Sequence, residues 1–388
     1  MDGEDSEHSD QGKPGGDPDA KRQEKDFDSA LIQARSLDKR MNENGSRLLN
    51  LGQMATGNQQ YQTAEECFSI IMEKGRTNPY YLTARISLIN ARNQRITTQS
   101  NYTKDDLKKL DSDYTTALNE LGRAANTADL IRGQANLKAF YLNETDTAIA
   151  MLENVIEMPG VNNEFKAQCK LDLGDMLVFK NELWDALLYY GQVDKDFKLD
   201  ELGREAKFRV ARAYYYVGQF EWAAAQLNIL KAATSQLISN DAMQLALLIQ
   251  DNTTIDTNTA PLLIYAYADL LNFQNHKAEA IITLDSLLKE FPNHSLTDEV
   301  WFKKAEIYQS TAAYDSAVIY YTGVFEKYSE DIWADDALYN LAQLYDFTLN
   351  DKIKAKDCYE KLLRNYGGSL FAADARKRFR SLRGDKIN

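Results

Sequence analysis

An alanine that returns every 37 or 38 positions limits the possible folds of this chain more than any other feature. Ala186, Ala223, Ala280, Ala317 and Ala355 mark it, with one step, from Ala223 to Ala280, lengthened to 57 positions. Around Ala317 its company reads Trp301, Ala305, Tyr308, Tyr314, Tyr321 and Val324, and around Ala280 it reads Ile264, Ala268, Leu271, Leu284, Leu287 and Pro292. Around Ala223 it reads Lys207, Ala211, Tyr214, Gly218, Phe220, Leu227 and Leu230. Within each half of a unit the apolar residues fall three or four apart, which is the period of one face of an α-helix. Two short amphipathic helices cannot bury their apolar faces alone, so neighbouring units must stack on one another. The small residue is needed where two helices cross too closely for a larger side chain.

These units resemble the tetratricopeptide repeat. Its tryptophan, leucine-glycine, tyrosine, alanine, aromatic and proline positions are matched in different units by Trp301, Leu173-Gly174, Tyr308, Ala317, Tyr321 and Pro292. The resemblance covers most of the chain and implies an all-α fold, a right-handed α-solenoid of stacked antiparallel helix pairs. It specifies architecture far more than function, because such repeats host many unrelated binding activities. A length of 388 residues suits a stack of repeats, which has no ceiling set by a single core.

Residues 1–26 carry no large apolar residue after Met1 and read as a disordered acidic arm. Residues 27–160 read as N-terminal repeats with an irregular insertion near 94–103, and 161–388 as regular repeats. Phe27, Ala30, Ala34 and Leu37 form a lone helix, either a cap or the remnant of a longer array. The long step is expected to hold an extra segment near 235–260, helical over Asp241–Gln250. A capping helix is expected at the C-terminus, where Arg376, Lys377, Arg378, Arg380, Arg383 and Lys386 suit the negative helix end. A patch for an anionic partner is the other reading of those cations.

The net charge of −13 argues against nonspecific nucleic-acid binding, which needs a basic surface. No run of about eighteen apolar residues is present, so no membrane-inserted helix is expected. Cys67, Cys169 and Cys358 have no paired spacing, and the three histidines, His8, His276 and His294, do not assemble a metal triad or a nucleophile relay. No glycine-rich phosphate loop or dinucleotide fingerprint appears. The expectation is therefore a chain that is not an enzyme and uses no cofactor or metal.

In the resembled family, first helices line a concave face, and recurrent positions after the tryptophan point into it. The first of these positions gives Phe208, Tyr265, Phe302 and Tyr339, and the last gives Phe179, Tyr216, Phe273 and Phe347. Asp175, Arg212, Asp269, Glu306 and Gln343 stand between them. Such a surface implies protein or peptide partners held by apolar anchors. Packing between repeats is the second reading of the same rings, and both stay open. Aromatics stand where a carboxylate clamp would place lysines, which argues against that clamp.

Phe291-Pro292-Asn293-His294-Ser295, the helix from Trp301 to Gln309 and the pair Tyr320-Tyr321 are similar to repeats of bacterial envelope proteins. That similarity implies a noncatalytic scaffold in envelope assembly, with peripheral association at the envelope. It implies a periplasmic setting if an export signal has been lost, and a cytoplasmic one if the chain is complete as given. The rival expectations are a regulatory or adaptor repeat domain of a longer protein and an enzyme with an unrecognised site.

Overall fold

In the computed structural model, residues 18–98, 102–198, 200–231, 236–253, 258–292 and 294–385 are described; the expected arm therefore lies outside them up to residue 17. Among these residues there are nineteen α-helices and no strand, so the all-α expectation holds. The chain divides into two compact units, Met1–Gly122 and Arg123–Asn388.

The first unit holds α1 (Pro18–Met41), α2 (Ser46–Gly57), α3 (Tyr61–Glu73), α4 (Tyr81–Thr98) and α5 (Lys104–Leu121), each packed on the next. Two expectations are corrected here. Helix α1 begins at Pro18 rather than Phe27, because proline suits a first helical turn and the charged run behind it is rich in helix formers. The supposed insertion is helical in its first half, since α4 continues to Thr98. Arg92 and Arg95 on α4 both pair with Glu65 on α3, and the Thr97 and Thr98 hydroxyls donate back to the Asn93 and Gln94 carbonyls. Residues 99–101 lie outside the described set.

The second unit opens with a 3-10 turn at Ala125–Thr127, then α6 (Ala128–Tyr141), α7 (Thr145–Glu157), α8 (Asn163–Phe179) and α9 (Leu183–Asp196). There follow α10 (Glu201–Tyr216), α11 (Phe220–Lys231), α12 (Gln236–Asp251), α13 (Ala260–Phe273) and α14 (Lys277–Glu290). Last come α15 (Thr297–Ser310), α16 (Tyr314–Lys327), α17 (Ala334–Gln343), α18 (Lys352–Asn365) and α19 (Ala372–Arg383). Pairs such as α6 with α7, α8 with α9, α13 with α14 and α15 with α16 are packed hairpins.

The recurrent alanine opens the second helix of each hairpin, and its place is set by a turn five residues earlier. Gln59, Asn143, Asn181, Gly218, Asn275, Ala312 and Asn350 all adopt positive φ, between 55° and 77°. Ala64, Ala148, Ala186, Ala223, Ala280, Ala317 and Ala355 follow them in order, and every one is fully buried. The left-handed residue ends the first helix and reverses the chain, which lays the alanine against its partner helix. Four asparagines and one glycine at these seven turns fit the conformation, since both tolerate it.

Close approach is visible again at Gly174, where an added Cβ would lie 2.3 Å from the Tyr190 ring. Gly52 stands in the same relation to Phe68, at 2.6 Å. The glycines thus mark where a second-helix ring sits against the first helix too closely for a side chain.

The extra segment is the full helix α12, longer than the Asp241–Gln250 expected from sequence. It packs on α11 and touches α10, while α10 also packs directly on α13. Near the C-terminus the helical path widens into a π-turn at Leu344–Thr348, and Asp346 within it is completely buried. Its carboxylate accepts from Lys352 Nζ at 2.9 Å, from Arg378 Nε at 2.9 Å and from the Tyr359 hydroxyl at 3.3 Å. One of the C-terminal cations therefore points inward to hold α19, while Arg380 and Arg383 pair with Asp385 beyond the helix end.

Candidate functional site

Four first helices, α10, α13, α15 and α17, and the extra helix α12 surround an open pocket of about 360 Å3. Each first helix contributes residues four apart, one helical turn: Phe208 and Arg212, Tyr265 and Asp269, Phe302 and Glu306, Asp336 and Asn340. Lys303 and Trp333 complete that side, and α12 faces them with Asp241, Gln244, Leu245 and Leu248. Six of the residues expected from sequence therefore meet at one pocket: Phe208, Arg212, Tyr265, Asp269, Phe302 and Glu306. Larger clefts of about 560 and 480 Å3 run between α7, α8 and α9, but they follow consecutive helices and gather no such set.

The other expected residues lie elsewhere. Phe179 packs edge-on against Phe140, with ring centroids 5.5 Å apart. Tyr216 and Phe273 lean on each other at 6.5 Å. Phe347 is 52% exposed and lies under the Arg378 guanidinium at 4.6 Å. Tyr339 stacks on Phe371 at 4.3 Å, donates its hydroxyl to Asp374 and accepts from Gln343. With Tyr339 turned to the next hairpin, α17 serves the pocket three residues earlier, through Asp336.

The rings have more than one kind of environment. Phe302 is 4% exposed and stacks on Trp333, with centroids 4.6 Å apart and planes 24° from parallel. Tyr265 is also buried and donates to the Glu299 carbonyl at 3.4 Å. Both join one hairpin to the next while presenting an edge to the pocket. Phe208 is half-buried, with Arg212 5.9 Å from its ring centroid.

Charge is uneven around the pocket. Lys303 lies 3.1 Å from Asp269 and 3.1 Å from Glu306; burial opposes its charge, yet the two carboxylates hold its pKa well above the usual lysine range. Arg212 spans the Phe208 and Phe273 rings and approaches Asp175 to 3.8 Å. Burial, together with Asp335 and Glu306, pushes the Asp336 carboxyl up to about 7. Asp241, although exposed, is raised by partial desolvation against the pull of Arg212.

Beside this pocket, and sharing Gln244 and Trp333 with it, is a smaller hollow of about 120 Å3. It is lined also by Asn240, Met243, Leu247, Ile332 and Leu370. Sequence reading missed the contribution of α12. Asp241, Gln244, Leu245 and Leu248 are spaced as one helical face, but no repeat register says which way an inserted helix turns.

Cys67, Cys169 and Cys358 are buried apart, and burial pushes each thiol up to about 12. Among the described residues no group of His, Cys, Asp and Glu is placed to hold a metal ion, and no helix is long and apolar enough to cross a membrane.

Residues 263–294 and 336–369 match the tetratricopeptide repeat family model. Those two stretches are thus similar to tetratricopeptide repeats, and the described part of the chain is all-helical, with consecutive helices packed as hairpins. No curated protein matches it by sequence. Among solved structures, a tetratricopeptide repeat protein from Parabacteroides merdae is 13% identical over 83% of this chain and 98% of its own, with a TM-score of 0.39. The apo form of RapI is 13% identical over 88% and 97%, with a TM-score of 0.40. A Rap protein complexed with competence and sporulation factor is 16% identical over 88% and 93%, with a TM-score of 0.37. At such scores the similarity supports no transfer of function.

Proposed function

We propose that this chain is a noncatalytic scaffold that holds a segment of a partner protein in the pocket between α12 and the first helices α10, α13, α15 and α17. The observation that carries the reading is the convergence of four aromatic rings and six charged side chains, from five helices, on one open cavity. Ligand sites have this mixed character, apolar walls with a few placed polar groups. The repeats support the same reading, since stacked helix pairs of this kind present concave surfaces for binding. A setting in envelope assembly belongs to this proposal only through the resemblance of the stretch from Phe291 to Tyr321.

A photo-crosslinking amino acid at position 244, on the pocket side of α12, tests the proposal in the native cell. A control carries it at position 282, an exposed site on α14. A polypeptide captured from position 244 and not from 282 is the expected outcome. The same products from both positions would refute the pocket as the binding surface. Alanine at Phe302 is not a clean test, because a buried ring stacked on Trp333 costs about 3–5 kcal/mol to remove.

A further inference from the structure

If the pocket is the binding site proposed above, the charges around it state what its occupant must carry. Four carboxylates, Asp241, Asp269, Glu306 and Asp336, face two cations, Arg212 and Lys303. Both cations are already engaged, Lys303 between Asp269 and Glu306, and Arg212 over two rings and toward Asp175. Asp241 and Asp336, from α12 and α17, have no ion-pair partner among the described residues. A carboxyl such as Asp336, held up to about 7 by burial and by Asp335 and Glu306, marks a place short of positive charge.

The walls suit a long cationic side chain as well as the charges do. Phe208 and Trp333 offer apolar surface to a methylene stem, and the buried Tyr265 and Phe302 line the floor with their edges. A volume of about 360 Å3 admits such a side chain without closing over the backbone that bears it. The adjoining hollow, whose apolar lining includes Met243, Ile332 and Leu370, has no comparable charge. Met243 is 45% exposed there, Ile332 42% and Leu370 75%.

We infer that the pocket takes a lysine or arginine side chain of the bound segment, its stem along the rings and its head among Asp241, Glu306 and Asp336. A neighbouring apolar residue of the same segment fills the hollow beside Trp333. The partner is thus a protein whose exposed segment sets a basic residue next to an apolar one. A strongly acidic segment is excluded by the same charges.

The test is selection from a display library of random twelve-residue peptides on the full chain, with parallel selection on the isosteric double variant Asp241→Asn, Asp336→Asn. Helical circular dichroism and melting confirm that the variant is folded. The expected result is enrichment of lysine or arginine beside an apolar residue on the wild type, lost on the variant. A selected arginine peptide should bind at least about tenfold more weakly when citrulline, its neutral isostere, replaces the arginine. Uncharged or acidic peptides that crosslink to position 244 and bind both proteins equally would overturn this inference while leaving the pocket as the binding site. Selected peptides that do not crosslink to position 244 would overturn both.

Discussion

Replacing Asp346 with alanine should open the C-terminal end of the second unit while leaving its beginning untouched. The carboxylate is fully buried, and the variant would remove the acceptor shared by Arg378, whose side chain is 15% exposed, Lys352, which keeps only its bond to the Asp346 carbonyl, and the buried hydroxyl of Tyr359. Breaking a buried ion pair from one side costs about 3–5 kcal/mol. Lys352 can turn to solvent, since its side chain is 37% exposed, which moves the expectation to about 3 kcal/mol, the lower end. At about 1.4 kcal/mol per factor of ten, α18 and α19 should open on the order of a hundred times more often. Hydrogen exchange read by mass spectrometry should therefore show amides in α18 and α19 losing protection by about that factor. Those of α6 to α9 should keep theirs, because each repeat feels only its neighbours. Adding Arg378→Met to the variant should return more than half of the loss, because the buried guanidinium that lost its carboxylate is removed with it. A change below about threefold, or an equal loss in α6 to α9, would show that Asp346 does not fasten this end.

Two further outcomes rest on local geometry. Ala312, exposed and at φ 59°, holds the left-handed turn position that asparagine or glycine fills in five of the seven hairpins. Ala312→Asn should stabilise the protein by about 0.5–1 kcal/mol, read as a raised melting temperature, and a lowered one would contradict the turn argument. Burial and the adjacent Asp298 raise the pKa of Glu299 above its unfolded value, so the folded chain keeps a proton that the unfolded chain releases. The stability from this group is full below about pH 4.5 and falls as pH rises. Glu299→Gln should match the wild type in urea near pH 4 and exceed it by about 1–2 kcal/mol at pH 8; an identical gap at both pH values would show that the carboxyl is not held neutral.

What sequence could reveal followed from which features carry a register. The alanine spacing and the leucine-glycine pairs are dictated by close helix crossings, so they gave the hairpins and their order. Phe208, Tyr265 and Phe302 fell on the pocket because their helices keep that register. Tyr339 did not, because its partner, Phe371, precedes a later helix, and the competition between a stacked ring and an open groove is decided by packing. The face of α12 was out of reach for a related reason: an insertion has no neighbour of its own kind from which to infer orientation. Inward-pointing Arg378 was hidden likewise, its acceptor Asp346 being brought to the core by a π-turn that leaves no spacing signal.

Helix α12 also bears on how many addresses the array offers. A perfectly regular stack presents nearly equivalent surfaces at each step, and a ligand suited to one could settle a unit further along. Because α12 occurs once and stands opposite α13, α15 and α17 at the pocket, it makes that location unlike the rest. Under the proposed function, a bound segment has one place to stop, with its frame set by an interruption rather than by the repetition around it.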